Sequence, residues 1–124
     1  MTLRGSIAAA QRGGARPNED GTTALEFQFH PDDPTFAGHF PGRPILPGVF
    51  QLELVRVTAE AVLHCPLTVR EFRKAKFQRP ILPGETVVVN LKLLETDGTI
   101  TAQARLTSAG QPAGEVLLFL CRSH

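Results

Sequence analysis

Between Pro31 and Gly48 the chain reads PDDPTFAGHFPGRPILPG, with five prolines from Pro31 to Pro47. Proline lacks an N–H and fixes φ, so this stretch can be neither a helix interior nor a central strand. It is a shaped loop. Immediately after it, VFQLELVRVTAEAVL, Val49 to Leu63, contains no proline or glycine and is apolar over most of the helical wheel. That pattern predicts a helix buried nearly all round, with Gly48 marking its start. A helix of this kind cannot stand at a surface, so the rest of the chain has to wrap it.

The wrapping material is β. TALEFQFH, Thr23 to His30, alternates Leu25, Phe27 and Phe29 with Glu26 and Gln28, the period of a half-buried strand. Beyond Cys65-Pro66 come LTVREFRKAKF, ETVVVNLKLLE, TITAQARLTSA and EVLLFLC, separated by the turn signals PILPG, TDG and AGQPAG. One central helix followed by antiparallel strands predicts an α+β domain in which a sheet wraps the helix. At 124 residues the chain suits one domain, 1–124, with no repeat organising it. Residues 1–22 are weakly specified: Leu3 to Arg12 is expected as a short strand, and GGARPNEDG, Gly13 to Gly21, as a polar turn or loop.

Composition removes several function classes. A formal net charge of +1 is too small for a nonspecific grip on nucleic acid. The two cysteines, Cys65 and Cys121, make no disulfide framework, and no CxxC or HExxH spacing points to a metal. The opening MTLRGSIAAAQRGG satisfies neither a secretory leader nor a membrane span, so a cytoplasmic protein without cofactor or metal is expected.

Three residues around the loop carry possible chemistry. Glu53 lies one turn into an apolar helix, where desolvation would raise its carboxyl pKa and make it a general acid; the plainer alternative is a solvent-facing glutamate beside Arg56. His39, with a reference pKa of about 6.5, can act as a base; the alternative is a structural hydrogen bond in a loop. Gly48 sits where unpaired N–H groups and the positive end of the helix dipole would receive an oxyanion. Base, acid and oxyanion donor together suggest proton abstraction beside a carbonyl followed by loss of a β-oxygen.

The same residues carry a resemblance. FAGHFPGRPILPGVFQLE is similar to the signature of the FabZ-type 3-hydroxyacyl-[acyl carrier protein] dehydratases, roughly GHFPxxPxxPGVxxxE. Gly38, His39, Phe40, Pro41, Pro44, Pro47, Gly48, Val49 and Glu53 fall on that signature without a gap. A second block, KAKFQRPILPGE, Lys74 to Glu85, resembles the family's strand, turn and strand after the helix. The resemblance covers about residues 23–121. It implies a hotdog fold and a dimer with active sites at the subunit interface, either a homodimer, a larger assembly of dimers or a heterodimer. By the same resemblance His39 removes the α-proton, Glu53 of the facing subunit assists loss of the 3-hydroxyl, and the Gly48 N–H polarises the thioester carbonyl. The related FabA-type enzymes, which also isomerise, carry aspartate at the acid position, so Glu53 points to dehydration alone.

Two departures stand out. The family's glutamine four residues after the glutamate is Val57 here, so Glu53 must be oriented in another way. The family's amino-terminal block is replaced by ARPNEDGTT. The short front end and PGVFQLE are more similar to dehydratases of aryl-polyene and related polyketide-like pathways than to housekeeping FabZ.

The implied partner is an acyl carrier protein, which is acidic. Arg70, Arg73, Lys74, Lys76 and Arg79, with Arg43 in the loop, are candidate docking residues, and a charge-protected strand edge explains the same cluster. Strict alternation would put Arg73 and Lys74 on opposite faces. Phe36, Phe40, Phe50, Pro47 and Val49 are candidates for the acyl channel. Two other functions compete with dehydration: a hotdog acyl thioesterase, and a non-catalytic subunit or carrier-binding partner of an active dehydratase.

Overall fold

The computed structural model describes residues 3–31 and 46–123. Its elements are α1 (Leu3–Ala10), β1 (Gln11–Pro17), β2 (Thr23–Gln28), α2 (Gly48–Leu63), β3 (Leu67–Phe77), β4 (Thr86–Thr96), β5 (Thr99–Ser108) and β6 (Gln111–Arg122). The strands form one sheet in the order β1-β2-β4-β5-β6-β3, antiparallel at every pairing. β1 and β3 are its edges.

Alternation along the strands decides which face meets α2. Leu25 and Phe27 of β2, Val87, Val89 and Leu91 of β4, Ile100, Ala102, Ala104 and Leu106 of β5, and Val116, Leu118 and Leu120 of β6 are all buried. Against them α2 buries Leu54, Val55, Thr58 and Ala59 completely. Each large side chain in such a position is worth about 2–5 kcal/mol against truncation to alanine. The helix and the sheet packed on it are both present at the expected positions, but α2 is not buried nearly all round: the sheet covers the face of Leu54, Val55, Thr58 and Ala59, while Leu52, Glu53, Val57 and Glu60 stay half-buried and Val49 is exposed. Two-residue loops with positive φ, Asp97-Gly98 and Ala109-Gly110, close the β4–β5 and β5–β6 hairpins, as right-handed strand twist favours. Among the described residues no helix is long and apolar enough to cross a membrane.

The amino-terminal expectations need correction. The expected strand at Leu3 to Arg12 is the helix α1, whose Ile7 and Ala10, three residues apart, are both buried. Its alanines favour helix, and its apolar residues follow helical spacing rather than alternation. The expected loop at Gly13 to Gly21 begins as strand: Gln11 pairs with Phe27 and Pro17 with Thr23, with a register shift between Arg12 and Arg16. Gly13, at φ +74, lies within that irregularity. An edge strand pairs through its backbone and needs no apolar side chains of its own, which is why polarity misled the reading.

The connection from β3 to β4 is fixed by polar groups. The Glu85 carboxylate accepts from the Leu82 N–H (2.8 Å), the Ser108 hydroxyl (3.1 Å) and the Arg79 guanidinium (3.3 Å), and Arg79 also donates to the Ser108 carbonyl (2.6 Å). Burial pushes the Glu85 carboxyl up, but the Leu82 N–H, the Ser108 hydroxyl and the Arg79 charge outweigh it and hold it below its ordinary value of 4.5. A carboxyl lowered in the folded state stabilises fully above its ordinary value, and that contribution is lost as pH falls through the folded value. Urea unfolding of the parent should therefore lose stability on acidification below the ordinary carboxyl range. Glu85→Gln should be less stable at neutral pH and lose less on the same acidification. Parallel stability curves for the two proteins would contradict this.

Candidate active site

The amino terminus of α2 opens onto one side of the molecule. Pro47 precedes the helix in extended conformation (φ −60°, ψ 149°) and supplies no side-chain cap. Its carbonyl accepts from the Phe50 N–H (3.0 Å) and the Gln51 N–H (3.4 Å). The earlier N–H groups, of Gly48 and Val49, are those for which a helix offers no internal acceptor. They lie at the positive end of a 16-residue helix.

Gly48 is needed for closeness, not for a left-handed φ. A Cβ built on it would lie 2.9 Å from the Phe77 ring. That ring and the helix start bound a cavity of about 360 Å³ lined by Leu46, Pro47, Gly48, Gln51, Phe77 and Arg79, among others. Of the expected channel residues, Pro47 lines this cavity. Phe50 instead packs against the core, and Val49 is 60% exposed. Phe36, His39, Phe40 and Arg43 lie outside the described residues.

The sequence reading missed Gln51. It is 3% exposed, and its Oε1 has no hydrogen-bond partner among the described residues. The available signal was a long polar side chain on the face of α2 that also carries Leu54, Val55 and Ala59. Also unread was the hexapeptide RPILPG, which occurs at residues 43–48 and again at 79–84. The Leu46 N–H donates to the Ile81 carbonyl at 2.8 Å, and both side chains are buried, so the two copies meet.

Glu53 lies on another side of α2, and its surroundings differ from those expected. In place of an apolar setting, its carboxylate receives a bidentate pair from Arg56. Nε donates to Oε1 (2.9 Å) and Oε2 (3.0 Å), and the NH2 group donates to Oε1. This is how an ionised carboxylate meets a guanidinium. Arg56 also donates to Glu60 Oε2 (2.9 Å) and to the Leu67 carbonyl (3.2 Å), while Glu60 Oε2 accepts the Leu67 N–H (2.7 Å). The hydrogen bond with Glu53 raises the Arg56 pKa despite the opposing effect of burial. Glu53 is 21% exposed and opens onto a groove of about 450 Å³.

The basic residues divide. Arg79 is committed to Ser108 and Glu85. Arg70, Arg73, Lys74 and Lys76 are exposed on the edge strand β3. Two register shifts, between Val69 and Glu71 and between Phe72 and Lys74, leave Arg70 and Arg73 as the extra residues. Strict alternation therefore fails here, because a bulge re-aims the side chains after it. Arg73 stands over the Phe119 ring (5.6 Å), and Lys74 borders a hollow with Gln103, Arg105 and Glu115.

A family model described as ApeI-like, ApeI dehydratase, matches residues 15–111. The chain belongs to the ApeI-like dehydratase family. Membership makes it an enzyme of the lyase class, as the sequence signature implied. Among curated proteins, the 3-hydroxyacyl-[acyl-carrier-protein] dehydratase FabZ of Haemophilus influenzae is 33% identical over 103 residues, 73% of this chain and 68% of the relative. The FabZ of Ehrlichia chaffeensis is 29% identical over 111 residues, 73% of this chain and 74% of the relative. Among solved structures, the dehydratase heterocomplex ApeI:P from Xenorhabdus doucetiae is 30% identical with a TM-score of 0.67, covering 82% of this chain and 88% of that one. The α+β hotdog fold is thereby established for this ApeI-like chain. Structures titled as thioesterases, at 17% identity or less, share the fold alone.

The Gly48–Phe77 contact is open to test by a double-mutant cycle in urea. Gly48→Ala should destabilise by about 1 kcal/mol through overpacking. In a Phe77→Leu background that loss should shrink by roughly 0.5 kcal/mol or more. Additive effects would show that the ring does not limit position 48.

Proposed function

We propose that the chain dehydrates a 3-hydroxyacyl thioester carried on an acyl carrier protein, giving the trans-2-enoyl thioester and water. The observation that carries this reading is the ungapped run from His39 through Gly48 to Glu53 in an ApeI-like chain, with Gly48 at the free end of a buried helix. The thioester carbonyl accepts from the Gly48 N–H, which lowers the cost of negative charge on that oxygen. His39 takes the proton from C2. The electrons left behind form the C2–C3 double bond as the C3–O bond breaks, and the departing hydroxide takes up a proton to become water.

That proton has two possible sources: Glu53 itself, or the imidazolium of His39 with Glu53 holding the leaving group. The bidentate pair with Arg56 favours the second, because a carboxylate that accepts from a guanidinium is placed to accept from the 3-hydroxyl as well. Glu53 then orients the leaving oxygen, and His39 returns the proton it removed.

His39 and Glu53 act from different subunits in this reading. Support comes from β3, an edge strand that exposes Val69, Phe72 and Phe77, apolar side chains that a second hotdog chain would cover. The partner is a second copy or a related hotdog chain, as in the heterocomplex of the Xenorhabdus relative. Arg70, Arg73, Lys74 and Lys76, with Arg43, form the docking surface for the acidic carrier; Arg79 acts instead within the fold. The replaced front end favours a polyene- or polyketide-like substrate.

Incubation with 3-hydroxyacyl carrier-protein thioesters of several chain lengths, followed by mass spectrometry, tests the reading. The parent should remove one water, and His39→Ala and Glu53→Gln should each lower the rate by roughly 100- to 10,000-fold. Release of a free acid would point to a thioesterase. Carrier binding without water loss at any chain length would point to a non-catalytic subunit.

A further inference from the structure

We propose that Arg56 is a positioning residue for the reaction, setting the Glu53 carboxylate in place of the side-chain amide that Val57 lacks. The inference rests on the dehydratase reading and adds to it a residue outside the signature. Arg56 is 8% exposed. A guanidinium so deeply placed is strongly unfavourable unless its donors are matched, and here they are matched on three sides. Two of those matches, Glu60 Oε2 and the Leu67 carbonyl, belong to the junction of α2 with β3. Glu60 is itself held by the Leu67 N–H, so the guanidinium plane is fixed by backbone rather than by a flexible surface partner. The third match is Glu53, which meets the edge of that plane formed by Nε and the NH2 group.

The consequence is directional. Among the described residues Arg56 is the group that hydrogen-bonds Glu53, so the plane of the guanidinium sets the plane of the carboxylate. Oε1 accepts from both Nε and the NH2 group, whereas Oε2 accepts from Nε alone, so Oε2 keeps one lone-pair direction unused. The groove beside it, bordered by Glu60, Thr68, Val69 and Ser123, leaves room for the hydroxyl of a substrate presented by the facing subunit. Val57, half-buried against the core, cannot do this work. An ion pair serving stability alone would need no such arrangement, since apolar residues of similar volume replace buried pairs without loss.

The experiment compares the full chain with Arg56→Gln, Arg56→Lys, Glu60→Gln and Glu53→Gln in steady-state dehydration, alongside thermal melts. Arg56→Gln should lower kcat roughly 10- to 100-fold with KM held within about threefold, the signature of a misplaced group rather than lost binding. Arg56→Lys should recover part of kcat, and Glu60→Gln, which loosens the anchor but keeps the pair, should cause a smaller fall with KM unmoved. If Arg56→Gln does not fold, the lysine variant and Glu60→Gln decide the matter. The proposal is overturned if folded Arg56 variants keep kcat within about twofold of the parent while Glu53→Gln collapses. Arg56 would then only tie α2 to β3, visible as a lower melting temperature at unchanged kcat. A parent that removes no water overturns the dehydratase reading itself, and this proposal with it. A parent that is active and dependent on Glu53 but indifferent to Arg56 overturns this proposal alone.

Discussion

Burial of α2 against a single curved sheet is the constraint from which the rest follows. A helix with Leu54, Val55, Thr58 and Ala59 wholly buried has no freedom to slide or rotate, because any shift would open voids against the inward residues of β4, β5 and β6. Its amino terminus is therefore fixed in space. That end carries the N–H groups of Gly48 and Val49, and the preceding proline adds no side chain to satisfy them. The core thus holds a positive helix end at a rim of the molecule, as an oxyanion site requires.

The same helix presents two chemically different sides. One carries Gln51 towards the cavity lined by Leu46, Pro47, Gly48, Phe77 and Arg79, and the contact of Leu46 with Ile81 joins the entry of α2 to the β3–β4 connection. The other carries Glu53, Arg56 and Glu60, locked to the first residue of β3. The cavity at Gln51 and the groove at Glu53 are lined by different residues.

Much of this was legible in the sequence, for physical reasons that can be named. The proline-rich stretch and the following run free of proline and glycine marked α2 to within one residue, because proline and glycine act locally. β2 was readable from alternation and β3 to β6 from β-branched runs and turn residues, but of AGQPAG only Ala109-Gly110 is the turn, and Gln111 to Gly114 already belong to β6, paired with β5 through the backbone. The first helix and first strand were not: α1 is too short for a strong period, and β1 is held by backbone pairing at an edge, which polar side chains do not advertise. The signature located Glu53, but not the geometry that holds it. Adjacent numbering placed Arg56 near Glu53, yet only the packing of α2 on β3 reveals that Glu60 and Leu67 fix the guanidinium. Bulges in β3 likewise defeated the alternation argument for Arg73 and Lys74, since an extra residue in an edge strand leaves no clear mark in composition.

A site shared between two protomers is tested most directly by complementation. His39→Ala and Glu53→Gln chains, differently tagged, would be co-expressed and the hybrid dimer isolated. If His39 of one protomer works with Glu53 of the other, the hybrid holds one intact site of two and should recover roughly half the parent rate, although each variant alone is inactive. A pure hybrid as inactive as its parents would show that both residues act within one chain, contradicting the assignment of the site to the interface.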